Sequence, residues 1–248
     1  MNDEMPLAIR IIPMLLHSHG WLVKGTRFQA WRTVGHALQA ARIHQARGVD
    51  ELLFLDVAAT PENKPHNVEL LEKLTSECFM PVTAGGGVRT IDDMHNLLRH
   101  GADKVAIGAA SQRADMVKQC ADAVGSQAVV AVIEIMNQQV FCREPQTSKN
   151  PVEWARYMEG EGAGEILLMD RDRDGTCEGY DLEMVRKVAG AVSIPVVAAG
   201  GAGSYEHMLQ AVEAGASAVA GGSIFQWNDL TPKGAAQYLA DNGIEVRL

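Results

Sequence analysis

Short apolar runs recur along the chain, separated by longer stretches in which apolar residues return every three or four positions. The runs at 8–15, 51–57, 81–84, 104–107, 128–133, 165–169, 195–198 and 218–220 read as strands. Several are apolar at nearly every position, the pattern of strands covered on both faces rather than one. Between them, 91–100 (IDDMHNLLRH), 151–161 and 205–214 carry helical spacing. The polar stretch 137–150 breaks the alternation and reads as a loop after the fifth strand. Strands alternating with helices predict a parallel sheet, and eight strands are the number that closes into a (β/α)8, or TIM, barrel.

A repeat within the chain sharpens that expectation. Glu51-Leu52-Leu53-Phe54-Leu55-Asp56 returns as Glu165-Ile166-Leu167-Leu168-Met169-Asp170, and Pro81-Val82 with Gly86-Gly87 as Pro195-Val196 with Gly200-Gly201. Gly101-Ala102 returns as Gly215-Ala216, and Gly108 as Gly222, always at one constant spacing. Two similar half-barrels, about 1–123 and 124–248, fit this better than a solenoid, which needs more copies of a shorter unit. Residues 1–248 then form one domain, a usual length for such a barrel.

Composition adds exclusions. A hydrophobic content of 47% with 21% charged residues is that of an ordinary globular protein. The net charge of −9 argues against nucleic acid or anionic lipid as a partner. No apolar run is long enough for a membrane span, and the acidic start, Met1 to Pro6, does not read as a signal peptide, so a cytoplasmic location is expected. Cys78, Cys120, Cys142 and Cys177 are scattered and read as free thiols; no metal site and no cofactor are expected.

Candidate chemistry gathers where strands end. Gly85-Gly86-Gly87 and Gly200-Gly201-Ala202-Gly203 each stand between a strand and a helix, where glycine lets backbone N–H groups approach an anion. One such cluster is equally a tight turn with no ligand. Two, each followed by a second short-residue strand end (Gly108-Ala109 and Gly222-Ser223), point to phosphate. Barrels of this class often hold phosphate between the loops after strands seven and eight, here Gly201 with Gly222 and Ser223. The loop Asp170-Arg171-Asp172-Arg173-Asp174-Gly175-Thr176 is either a solvated surface or a ligand-ordering loop, and it lacks the trailing Glu of a calcium loop.

The chain resembles the HisF family, the cyclase subunits of imidazole glycerol phosphate synthase, over essentially its whole length. The residues that carry the resemblance include Arg10-Ile11-Ile12, Val23-Lys24-Gly25-Thr26, Asp50 to Asp56, Gly101 to Val105, Gly125 to Val130, Gly162 to Leu168, Arg173-Asp174-Gly175-Thr176 and Gly179-Tyr180-Asp181. The resemblance implies a glutaminase partner of the HisH type at the N-terminal face, with ammonia passing through the barrel to a phosphorylated substrate at the C-terminal rim. It implies a gate of alternating charges at Arg10, Glu51, Lys104 and Glu165, and a partner contact at Asp103. It also implies phosphate positions at Gly87, Gly108, Ala109, Asp174, Gly175, Gly201, Gly222 and Ser223.

The catalytic rim departs from the family, whose cyclases use two aspartates as general acid and base. The first position is Leu16, which transfers no proton unless His17 or His19 substitutes; the second is Glu134. A kept gate with an altered acid–base pair suggests an ammonia-channelling synthase subunit of the paralogous group that serves acetamidino-sugar and surface polysaccharide synthesis. The alternatives are a divergent cyclase of histidine biosynthesis and a non-catalytic barrel that only docks a glutaminase.

Overall fold

The computed structural model describes residues 8–113, 115–142, 149–227 and 229–248. The chain begins with β1 (Arg10–Ser18), a hairpin of β2 (Trp21–Thr26) and β3 (Gln29–His36), and α1 (Ala37–Ala46). It continues through β4 (Leu52–Asp56), α2 (Val68–Glu77), β5 (Val82–Gly85), α3 (Ile91–Arg99), β6 (Lys104–Ile107) and α4 (Met116–Val124). Then follow β7 (Val129–Met136), β8 (Gln139–Val140), α5 (Pro151–Gly160), β9 (Glu165–Asp170), α6 (Leu182–Ala189), β10 (Val196–Ala199) and α7 (Tyr205–Glu213). The last elements are β11 (Ala218–Gly221), α8 (Ile224–Trp227) and α9 (Pro232–Asp241).

Strands β1, β4, β5, β6, β7, β9, β10 and β11 pair in parallel in that order, and β11 closes on β1 with Arg10 beside Ala218 and Pro13 beside Gly221. The expected (β/α)8 barrel is therefore the fold. Alternation along each strand builds two kinds of core. Ile12, Met14 and Leu16 of β1 face the axis with Leu53, Leu167, Met169 and Val197. Leu15 faces outward, and with Phe54, Leu71, Leu74 and Met94 it fills the layer beneath the helices. Helix starts are pinned by side chains at matching places: Asn67 caps α2 as Asp181 caps α6, and Thr90 caps α3 as Ser204 caps α7. Such caps contribute about 0.5–2 kcal/mol each.

Three expectations need correction. The first strand runs three residues further toward the rim than 8–15, through Ser18. The chain then turns into the β2–β3 hairpin, which the hydrophobic pattern did not signal. Its turn holds Arg27 and Phe28 at φ +53 and +57, a conformation usually signalled by Gly or Asn. The energy for it comes from across the rim, where Arg27 N–H donates to Asp174 O at 2.8 Å. Within the expected loop 137–150, Gln139–Val140 folds back on β7 as β8, with Val140 beside Ile135; residues 143–148 lie outside the described residues. Among the described residues no helix is long and apolar enough to cross a membrane.

Candidate functional site

At the N-terminal end of the barrel, four charged side chains meet across the axis. Arg10 opens β1, Lys104 opens β6, Glu165 opens β9, and Glu51 immediately precedes β4. Arg10 Nη1 lies 2.5 Å from Glu51 Oε2, and its Nη2 bonds Glu165. Lys104 Nζ lies 3.1 Å from Glu51 and 2.9 Å from Glu165. The charges thus alternate around a closed ring. Thr83 Oγ1 adds a 2.6 Å hydrogen bond to Glu51 Oε1.

The two carboxylates are almost fully buried, while a quarter of each cation remains exposed. Burial alone would push the Glu51 carboxyl up, but Lys104, Arg10 and Thr83 outweigh it and hold the group below the usual carboxylate range. Burial would likewise lower Arg10, and Glu165 and Glu51 reverse that. Buried charges of this kind persist because each is matched; removing one strands its partners. A cavity of about 240 Å³ lies against the ring on the outer side, lined by Ile9, Arg10, Asp50, Lys104, Glu165 and Arg247. Asp103 beside Lys104 is exposed, and its Oδ2 accepts the Val82 N–H at 2.8 Å.

At the opposite end a second cavity of about 240 Å³ opens among the strand termini. Its walls mix apolar side chains, among them Leu16, Leu55, Val57, Val88, Val132 and Met169, with polar groups such as Asp56 and Thr60, and the hairpin contributes Phe28 and Trp31. Glu134 of β7 and Arg171 enter it as a pair, joined through Arg171 Nη1 and Glu134 Oε2. The guanidinium is clasped between aromatic rings, 4.1 Å from the centroid of Phe28 and 4.0 Å from that of Phe141. The pair engages Glu134 Oε2 in a charge-assisted hydrogen bond. Gly87, Gly108 and Ala109 line the same cavity. The Gly87 N–H already donates to Thr60 Oγ1 at 3.1 Å.

The histidines expected to replace the missing acid do not reach this cavity. Leu16 faces the axis, so its neighbour His17 faces outward, fully buried and stacked on Phe54 with ring centroids 4.3 Å apart. His19 sits in the turn before β2, largely exposed, against Ser18 and Glu62. Alternation along β1 made His17 and Leu16 incompatible as joint lining residues.

The second set of rim residues does converge. Asp174, Gly175, Gly201, Gly222 and Ser223 surround a space of about 10 Å³ beside Met14. Sequence reasoning did not single out what fills the neighbourhood, Lys24 of β2, which is 3% exposed. A Cβ at Gly222 would fall 1.9 Å from Lys24 Nζ, so the amine lies directly against the glycine backbone. Burial lowers the Lys24 amine to about 8, against the pull of Asp174 and Cys177. The Asp174 carboxyl is pushed up by burial, against Lys24 and Arg171. An amine near neutrality beside backbone N–H groups can hold an anion or exchange a proton. The signal for Lys24 was its place in Val23-Lys24-Gly25-Thr26; only the unexpected hairpin shows that it points inward.

This is a closed parallel barrel with ligand-sized cavities at both ends, and the chain belongs to the histidine biosynthesis protein family, whose model matches residues 10–231. Within that family it is HisF-like. It is 42% identical over 252 residues to the imidazole glycerol phosphate synthase subunit HisF of two strains of Caulobacter vibrioides, covering 98% of this chain and 97% of each relative.

Proposed function

We propose that the chain is the synthase subunit of a glutamine-dependent complex. Ammonia released by a HisH-type glutaminase enters at the N-terminal face, crosses the barrel and meets a phosphorylated acceptor at the rim. The observation that carries this reading is the closed ring of Arg10, Glu51, Lys104 and Glu165 beneath an apolar interior. Neutral ammonia can pass among Ile12, Leu53 and Val197, whereas ammonium would lose its hydration without a partner. The name of the relatives, a subunit of a synthase, fits the need for a partner. Gly201, Gly222, Ser223 and Lys24 suit the phosphate.

The acceptor chemistry departs from that of a cyclase, since Leu16 stands at one acid–base position and Glu134 is tied to Arg171. This favours the paralogous group that makes acetamidino-modified sugars for surface polysaccharide. The divergent cyclase of histidine biosynthesis is the second reading, favoured by 42% identity over nearly the whole chain. In that reading the Glu134–Arg171 pair opens when substrate enters.

The experiment reconstitutes the chain with a HisH-type glutaminase and compares glutamine-dependent with ammonia-dependent product formation. Lys104→Ala and Glu165→Ala should lose the glutamine-dependent rate while keeping the ammonia-dependent one. A wild-type ratio in both variants, or no glutaminase bound, overturns the channel. Ammonia-dependent turnover of the cyclase substrate at about 1 per second or more would select the second reading.

A further inference from the structure

Behind the rim cavity, three side chains from separate segments turn toward one another. They are His17 near the end of β1, Asp56 at the end of β4, and His66 just ahead of α2. Their exposures are 0%, 8% and 5%, and one ligand atom from each lies within 4.8 Å of the other two. His66 Nδ1 lies 2.9 Å from Gly85 O. A carbonyl can only accept, so Nδ1 carries the proton and Nε2 carries a lone pair, which no described residue meets. Neither ring nitrogen of His17 has a hydrogen-bond partner among the described residues, although the ring is wholly buried. Asp56 is held rigidly, its Oδ1 accepting the N–H groups of Ala58 and Ala59 at 3.1 Å each.

The second half of the chain builds the same framework without imidazole. Asp170 accepts two backbone N–H groups as Asp56 does, from Asp172 and Arg173. The residue paired beside Asp170 is Ile135, where His17 is paired beside Asp56. The residue before the helix cap is Tyr180, where the first half has His66, and its hydroxyl is satisfied by Ala220 O at 2.9 Å. The scaffold therefore works with an apolar residue and a self-satisfied phenol. Two buried imidazoles, each with an unpartnered ring nitrogen and both facing a fixed carboxylate, need another explanation.

We infer that His17, Asp56 and His66 form a binding site for a divalent transition metal that favours imidazole and carboxylate ligands, Zn²⁺ above all. The His66 Nδ1–H to backbone carbonyl bond is the outer support that metal-ligating histidines commonly have, and the two N–H groups on Asp56 support the carboxylate. Zinc bonds of about 2.0–2.2 Å require the ligand atoms to draw closer than they stand, and His17 has no hydrogen bond to break in doing so. Asp56 also lines the rim cavity, which leaves a fourth position accessible to water or a ligand from that side. Neither histidine was recognisable as a ligand from spacing, since His17, Asp56 and His66 come from three separate segments.

The test uses the full chain, stripped with a chelator and titrated with Zn²⁺ by calorimetry and with Co²⁺ by visible absorption. One equivalent should bind, with Co²⁺ showing ligand-field bands of a low-coordinate site. His66→Ala and His17→Phe should each weaken binding at least about tenfold. His17→Phe keeps a ring against Phe54 and removes the unpartnered nitrogens. It should match or exceed the wild-type Tm in chelator and lose the Tm gain that Zn²⁺ gives the wild type, which decides the matter if His66→Ala fails to fold. No stoichiometric binding by the wild type, or wild-type affinity in His17→Phe, overturns the site.

Discussion

In the rim cavity, Leu16, Glu134 and Arg171 bear on which protons the proposed reaction can move. Leu16 offers none, and Arg171 holds Glu134 in a pair braced by Phe28 and Phe141. Leu16→Asp combined with Arg171→Ala would place one carboxylate on β1 and release the other on β7. The double variant should gain at least about 10²-fold in ammonia-dependent cyclase turnover over the wild type; no gain would show that the rim differs in more than these groups. Leu16 and Glu134 stood out in the sequence because the resemblance implies aspartates at those positions. Arg171 did not, because its role depends on two aromatic rings brought from distant segments. His44 of α1 was equally hidden: its helical position is ordinary, yet it is buried against Phe225 with an unpartnered Nδ1. Burial, with a smaller push from Arg47, lowers it to about 4 from a usual value near 6.5. The unfolded chain thus takes up this proton first as pH falls. The stability that His44 contributes is complete above pH 6.5 and declines toward pH 4, with a slope of at most about 1.4 kcal/mol per unit. Urea melts of His44→Leu across that window should be flatter than those of the wild type; parallel curves would contradict the assignment.

Among the elements, those of the barrel were readable and the hairpin was not. Barrel strands are covered on both faces, so their apolar runs stand out from the helices between them. The β2–β3 hairpin is largely exposed along β3, and its turn residues, Arg27 and Phe28, give no turn signal. Its conformation is imposed by the loop after β9, through Arg27 N–H to Asp174 O and Arg27 Nε to Asp172 O. Gly175 makes that approach possible, with φ +72 and a Cβ position only 2.3 Å from Gly25 O. Gly175→Ala should therefore separate the two loops, at a cost of about 1–3 kcal/mol. Limited proteolysis should accelerate within 25–31 while the barrel melts only a few degrees lower. Unchanged cleavage would mean that the hairpin stands without the loop. Since the hairpin carries Lys24, Phe28 and Trp31, the same variant should weaken the phosphate binding proposed for the rim.

For the molecule as a whole, the constant spacing of Glu51 with Glu165 and of Gly86 with Gly200 made the closed barrel readable before any side chain was placed. The ring of charges was readable for a related reason: Arg10, Glu51, Lys104 and Glu165 stand at the starts of four strands, and closing those strands into a cylinder brings them together. The histidine–aspartate cluster follows from no such rule, as it breaks the internal likeness rather than obeying it. Closure has a further effect on the two ends of the described chain. Ile9 is bridged to Val246 and its N–H donates to Glu245 O at 2.8 Å, so the last segment lies directly beside the first. The described barrel is in effect a ring with one cut, between the segments of Ile9 and Val246, and the cut could be moved. A gene that started at Gly125 and ran from Leu248 through a short linker into β1 would deliver β7 to the ribosome's exit first, and the same cylinder could still close.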